Sequence, residues 1–198
     1  MARKRKTPFK TREEWLVAFT KRARVEFKKH GYEIPENVRM AVGFTSTGAR
    51  GKRIGECWTD EASEDGAFEI FIDPKLGDPS RVADVLTHEL IHATVGIEAG
   101  HKKPFVDCMN AVGLVGKPTA TVAGVDWHKW ADPILSDLGP LPHAAIKPGN
   151  GKKKQTTRMI KCECVNCGFT FRTSAKWLEN GEDLRCPDTY CRGMLAIG

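Results

Sequence analysis

The sequence contains no apolar run approaching the ~20 residues that a membrane-spanning helix needs, so nothing in it reads as a helical membrane protein. Its basic start, Met1-Ala2-Arg3-Lys4-Arg5-Lys6, is followed by no apolar signal segment, and a cytoplasmic location is expected. An even set of cysteines is also missing. Seven are present, five of them in residues 162–191 and four of those at metal-like spacings, which favours thiolate metal ligands over a disulfide framework. With 198 residues and a hydrophobic fraction of 40%, the chain can build one well-cored domain and a small appendage.

Charge is spread unevenly. Residues 1–30 hold 11 Lys+Arg against 3 Asp+Glu, residues 31–146 hold 10 against 17, and residues 147–198 hold 10 against 5. An acidic middle is therefore flanked by two basic ends, which suits attraction of a polyanion such as nucleic acid through counterion release.

The clearest chemistry lies between Asp84 and Phe105, in His88-Glu89-Leu90-Ile91-His92. Residues four apart share one face of a helix, so His88 and His92 can reach one metal ion while Glu89 stands beside them as a general base. The surrounding pattern supports a helix. Ser80 after Asp78-Pro79 is read as the N-cap, Val82, Val85, Leu86, Leu90 and Ala93 mark a core-facing side, and Gly96 suits the end. A buried helix whose histidines merely pack is the plainer reading, and this setting weighs against it. A catalytic zinc takes three protein ligands and keeps the fourth place for water. His101, after the break at Gly96 to Gly100, is the obvious third, with Glu98, His128 and His143 as competitors. The metalloprotease subclass with a third histidine at a fixed short offset demands glycine and histidine where Val95 and Glu98 stand, and is excluded.

Upstream, residues 1–8 form a basic arm, and Thr11 with Glu14 reads as a capping box opening a helix. Trp15, Phe19, Ala23 and Phe27 make its core stripe until His30-Gly31 stops it. Val38 to Phe44, Arg53 to Trp58 and Phe68 to Ile72 look like antiparallel strands, the last with Phe68, Ile70 and Ile72 on one side. Cys57 and Cys108 are expected to be buried free thiols. Phe105, Cys108, Met109 and Val112 have helical spacing, and residues 116–146 contain a further helix through Trp127, Trp130, Ile134, Leu135 and Leu138. His143, on the proline-rich stretch that follows, is either a surface histidine or a group that stabilises a developing oxyanion in the site.

Residues 147–160, polar, glycine-containing and basic, form a linker between a domain at 9–146 and a module at 161–198. The module holds a C-x2-C pair and a C-x4-C pair separated by 18 residues, which can place Cys164, Cys167, Cys186 and Cys191 around a structural zinc. Cys162 could replace Cys164, although the C-x2-C-Gly knuckle favours the former assignment. Phe169, Phe171, Trp177 and Leu178 are expected to supply a small core. Arg3, Lys4, Arg5, Lys6, Lys152, Lys153, Lys154, Arg158, Lys161, Arg172 and Lys176 are the candidate nucleic-acid contacts.

With both halves in view, the chain resembles the SprT-like zinc metallopeptidase family, whose eukaryotic relative is Spartan, and more closely its short bacterial and phage-encoded members with a C-terminal zinc ribbon. The likeness covers most of residues 66–198. It rests on Phe68-Glu69-Ile70-Phe71-Ile72-Asp73-Pro74, on His88-Glu89-Leu90-Ile91-His92-Ala93, on Gly100-His101 followed by Phe105, on Leu138-Gly139-Pro140-Leu141-Pro142-His143-Ala144-Ala145, and on Thr173 to Leu178. Lys102 stands where the family commonly has glycine after the third histidine. The resemblance implies an α+β, zincin-like peptidase domain with helices and a small antiparallel or mixed sheet, followed by a zinc ribbon. It further implies a DNA-dependent protease that digests proteins bound or crosslinked to DNA.

The expected protein is thus a zinc-dependent metalloendopeptidase with two zinc sites, one catalytic on His88, His92 and His101 and one structural. Glu89 activates the water that zinc holds. Its partners are a protein substrate and DNA, with no membrane, nucleoid association if DNA is bound, and an open oligomeric state with a monomer favoured. The substrate is expected as an extended strand along a sheet edge, for which Phe68 to Ile72 is the candidate. The competing class is a non-proteolytic DNA-binding zinc protein whose first metal site is structural or regulatory. A peptidase whose ribbon binds protein instead of nucleic acid is a third reading.

Overall fold

The computed structural model describes residues 7–148, 159–179, 185–191 and 193, and the backbone of 195–197. Contacts divide the chain after Pro148 into two units. Among the described residues the architecture is mixed α+β, with five α-helices and small sheets.

Helix α1 (Arg12–Lys29) opens with the expected capping box, in which Thr11 accepts from the Glu14 N–H and Glu14 reaches back. Trp15, Leu16, Phe19, Ala23 and Phe27 are fully buried, as their four-residue recurrence predicts, with Trp15 stacked on Phe19 at 5.9 Å between ring centroids. Strands β1 (Val38–Val42), β2 (Gly55–Trp58) and β3 (Phe68–Ile72) form one sheet in the order β1-β3-β2. The antiparallel expectation holds for β2 with β3 alone, because β1 runs parallel to β3, Val38 opposite Phe68 through Val42 opposite Ile72. The alternation along β3 reports which side chains face the core, here Ile70 and Ile72, and carries no information about which strands flank it.

Helix α2 (Pro79–Val95) packs on that sheet and is buried along most of its length. Its N-cap is Asp78, not the expected Ser80. The Asp78 carboxylate accepts the Arg81 N–H at 2.9 Å, and Pro79 takes the first helical position, where its missing N–H costs nothing. Gly96 ends the helix with φ at 89°, a conformation that favours glycine. Helix α3 (Lys103–Ala111) buries Phe105, Cys108 and Met109. A hairpin of β4 (Leu114–Lys117) and β5 (Ala120–Ala123) follows, then α4 (Val125–Leu138). Sequence periodicity showed the helix and not the hairpin, whose four-residue strands are too short to display alternation.

The stretch after α4 is tied back onto the unit by buried donors. Trp15 Nε1 donates to the Gly139 carbonyl at 3.1 Å, and the Ile146 N–H donates to the Pro74 carbonyl at 2.9 Å. Arg12, only 5% exposed, gives Nη2 to the His143 carbonyl at 2.9 Å and Nη1 to the Leu76 carbonyl at 2.7 Å.

In the second unit β6 (Ile160–Cys164) lies between β7 (Thr170–Thr173) and β8 (Leu195–Ile197), antiparallel to both, and α5 (Ala175–Glu179) is a single short helix. Of the four residues expected to supply a small core, Phe171 and Leu178 are half-buried and the other two are not. Phe169 is 42% and Trp177 64% exposed, while Cys162, Cys164 and Cys186 are buried. So small a unit encloses little volume, and among the described residues its buried side chains are those of cysteines. No helix of the described residues is long and apolar enough to cross a membrane.

Removing the buried Arg12 guanidinium deletes the donors to the Leu76 and His143 carbonyls. Arg12→Ala is expected to destabilise the first unit by about 2–3 kcal/mol, measured by urea unfolding.

Candidate metal centres

Two clusters of metal-ligating side chains stand out. His88 and His92, one turn apart on α2, meet His101 from the loop between α2 and α3, with their ring nitrogens inside a 4.8 Å span. His92 Nε2 lies 3.2 Å from His101 Nε2, which lies 3.4 Å from His88 Nε2. Nitrogens bound about 2.0–2.1 Å from a tetrahedral zinc stand about 3.3 Å apart, so this spacing fits such an ion. Phe105 of α3 forms the floor. Its ring centroid is 4.8, 4.6 and 4.9 Å from those of His88, His92 and His101, so one buried aromatic ring backs all three imidazoles.

Burial, aided by the proximity of the other rings, pushes His88 down to about 3 and His92 to about 4, and burial also lowers His101. All three imidazoles are therefore neutral at physiological pH and keep a lone pair for a metal. The outer nitrogen of His88, Nδ1, is 2.8 Å from Thr121 Oγ1 on β5. His92 Nδ1 is buried without a hydrogen-bond partner among the described residues.

Glu89 sits in the same cleft, 6% exposed. Burial, and after it the nearby Glu56 carboxylate, push its carboxyl up to about 8, with Arg53 pulling the other way. A carboxyl so placed takes and returns protons near neutral pH. The cleft holds about 500 Å³, between β2 and the stretch Thr119 to Thr121. Because β3 is flanked on both sides, it offers no free edge for a substrate strand, and the edge that borders the cleft is that of β2, at Gly55, Glu56 and Cys57. Glu56 is fixed by the Ser46 N–H at 2.7 Å, by Ser46 Oγ at 2.6 Å and by Arg53. Gly55 is needed there, since a Cβ would stand 2.5 Å from Glu89 Oε1 and 2.6 Å from Val85 Cγ1.

The competing ligands stay apart from the three histidines. Glu98 is exposed and outside the cluster, and His128 pairs with Asp132 at 2.9 Å. His143 is exposed and lines a separate cavity with Arg12, Phe44 and Pro74, so the oxyanion role considered for it has no geometric basis in the cleft. Cys108 is buried as expected and Cys57 is partly so.

The second cluster joins Cys164, Cys167, Cys186 and Cys191. Cys164 Sγ is 3.5 Å from Cys191 Sγ, and Cys167 Sγ is 3.6 Å from Cys186 Sγ. Thiolates about 2.3 Å from a tetrahedral zinc stand about 3.8 Å apart, close to these separations. The backbone N–H groups of Cys167 and Asn166 lower Cys164 to about 7, toward the thiolate that binds metal. Cys162 is fully buried and outside the cluster. On this unit Lys161 and Arg172 stand opposite each other across β6 and β7, and Lys176 Nζ lies 5.4 Å from the Trp177 ring centroid. The other candidate nucleic-acid contacts, Arg3, Lys4, Arg5, Lys6, Lys152, Lys153, Lys154 and Arg158, lie outside the described residues.

Thr121, Gly55 and Glu56 were not legible as site residues. Each reaches the cleft through strand pairing or close packing, for which the sequence carries no local signal. Comparison with protein-family models, with curated proteins and with solved structures finds no match.

Gly55→Ala is expected to cost about 1–3 kcal/mol in urea unfolding through overpacking against α2. Cys186→Ser, with zinc present, is expected to abolish amide protection within residues 159–179 while leaving that of α1 and α2 unchanged, as read by hydrogen exchange.

Proposed function

We propose that this chain is a zinc-dependent endopeptidase of SprT-like, zincin-type design, held on DNA by its basic ends and acting on proteins bound or crosslinked to that DNA. The observation that carries the reading is the joint placement, in one cleft, of three neutral imidazoles spaced for a tetrahedral ion and the buried Glu89 carboxyl.

His88, His92 and His101 would hold the ion. Zinc held there would supply Lewis acidity, acidifying the attacking water and polarising the scissile carbonyl. The chain's own residues do the rest. Glu89 takes the proton from the attacking water at its carboxylate and returns it to the leaving amine. The free edge of β2 pairs with the substrate backbone as an added strand, a mode that reads few side chains and gives broad specificity. Gly55 and Cys57 face that strand's approach to Glu89, and the Ser46–Glu56–Arg53 network keeps the edge rigid.

DNA tethering is supported by the charge division along the chain and by the ribbon surface. On the ribbon, Arg172 stands opposite Lys161 across β6 and β7, and Lys161 also pairs with Glu163 at 2.6 Å. Exposed Phe169, Trp177 and Tyr190 add rings on which bases can stack. A closed structural site, as in the non-proteolytic alternative, would take a fourth protein ligand, and among the described residues neither Glu98 nor His128 joins the three histidines.

The test is cleavage of a protein–DNA crosslink by the full chain and by Glu89→Gln. The variant is expected to keep its zinc content and its unfolding midpoint while losing cleavage by about 10²- to 10⁴-fold. Undiminished cleavage by Glu89→Gln would sink the proposal.

A further inference from the structure

A neutral imidazole carries one N–H, and the nitrogen that carries it decides where the remaining lone pair points. For His88 that choice is governed from β5. Its Nε2 faces the other two histidines, while Nδ1 lies 2.8 Å from the hydroxyl of Thr121. If Nδ1 donates to that hydroxyl, Nε2 presents its lone pair to the cluster. If instead the hydroxyl donates, an N–H points into the space where the ligand nitrogens converge.

Thr121 is itself held in place and only 7% exposed. It pairs with Gly116 across the hairpin, and its carbonyl receives Arg81 Nη1 at 3.4 Å. Arg81 also grips Asp84 at 2.7 Å, and Asp84 in turn accepts the N–H of Ala123 at 3.3 Å. The hydroxyl is thus pinned through its own strand and through α2. His92 has no equivalent support, since its Nδ1 is buried without a partner among the described residues.

From this geometry, and resting on the reading of His88, His92 and His101 as metal ligands, we propose that Thr121 is a positioning residue for the metal centre. Its hydroxyl accepts the Nδ1–H of His88, fixing both the ring orientation and the tautomer that leaves Nε2 free to bind. Outer partners of this kind are worth about 10- to 100-fold in metal affinity. A purely structural role in the hairpin would affect stability and leave affinity alone.

The test titrates cobalt(II), as a spectroscopic substitute for zinc, into the full-length chain. Thiolate-to-cobalt charge-transfer bands report the four-cysteine site separately and serve as an internal control. Thr121→Val, which keeps the shape and removes the hydroxyl, is expected to bind cobalt at the histidine site about 10- to 100-fold more weakly with the cysteine site unchanged. Thr121→Ser is expected to restore most of the loss. Nitrogen-15 NMR of the metal-free wild-type chain gives a second readout that needs no variant, with the proton of His88 expected on Nδ1. Wild-type affinity in Thr121→Val, failure of Thr121→Ser to recover affinity, or a proton on Nε2 overturns the proposal. Absence of cobalt binding by the wild-type histidines, with the cysteine site loaded, overturns the underlying metal reading as well.

Discussion

Desolvation along α2 is the constraint on which the first unit depends. The helix buries Val82, Val85, Leu86, Leu90 and Ile91, and the same burial takes in Asp84, Thr87 and Glu89 and presses His88 and His92 against Phe105. Every polar group on it must therefore be neutral, paired or aimed at a ligand. Asp84 is paired with Arg81, and Thr87 accepts from Trp127 Nε1 while donating to Ala83. The imidazoles are kept neutral. Glu89 meets the same cost by rising in pKa, the condition in which a carboxyl can exchange protons near neutral pH.

The rest of the unit can be understood as the cover that makes this desolvation possible. The sheet closes one side, and β2 approaches so closely that only glycine fits opposite Glu89. Helix α3 brings the phenyl floor, and the β4–β5 hairpin brings the hydroxyl beside His88. Buried donors on α1 draw the Gly139 to Ile146 stretch back onto the fold. The cleft remains open where β2 has no partner strand, and the proposed peptidase chemistry needs such an edge.

The second unit solves the stability problem differently. Among its described residues Phe169, Trp177 and Tyr190 are exposed and the buried side chains are cysteines, so a metal ion held by four sulfurs would supply folding energy that apolar burial does not.

Much of this was legible in local spacing. The two-histidine helix, the core stripe of α1, its capping box and the four clustered cysteines all follow from periodicities of a few residues, because side chains one helical turn or one tight loop apart meet wherever the chain folds. The third histidine was legible as the leading candidate, and the structure separates it from its competitors Glu98, His128 and His143, none of which joins His88 and His92. Ser80 was mistaken for the cap because both it and Asp78 are good N-caps, and the Pro79 between them decides only once the helix phase is known. The sequence by itself determined which side chains could hold metal, His88, His92 and the cysteines of the C-x2-C and C-x4-C pairs, because those spacings are local. Tertiary structure alone decided that β1 lies parallel to β3, that β2 supplies the free edge, that His143 stays out of the cleft, and that Thr121 supports His88. Those are contacts between residues tens of positions apart, and they are set by how hydrophobic faces close over one another, for which no short stretch of sequence carries a signal.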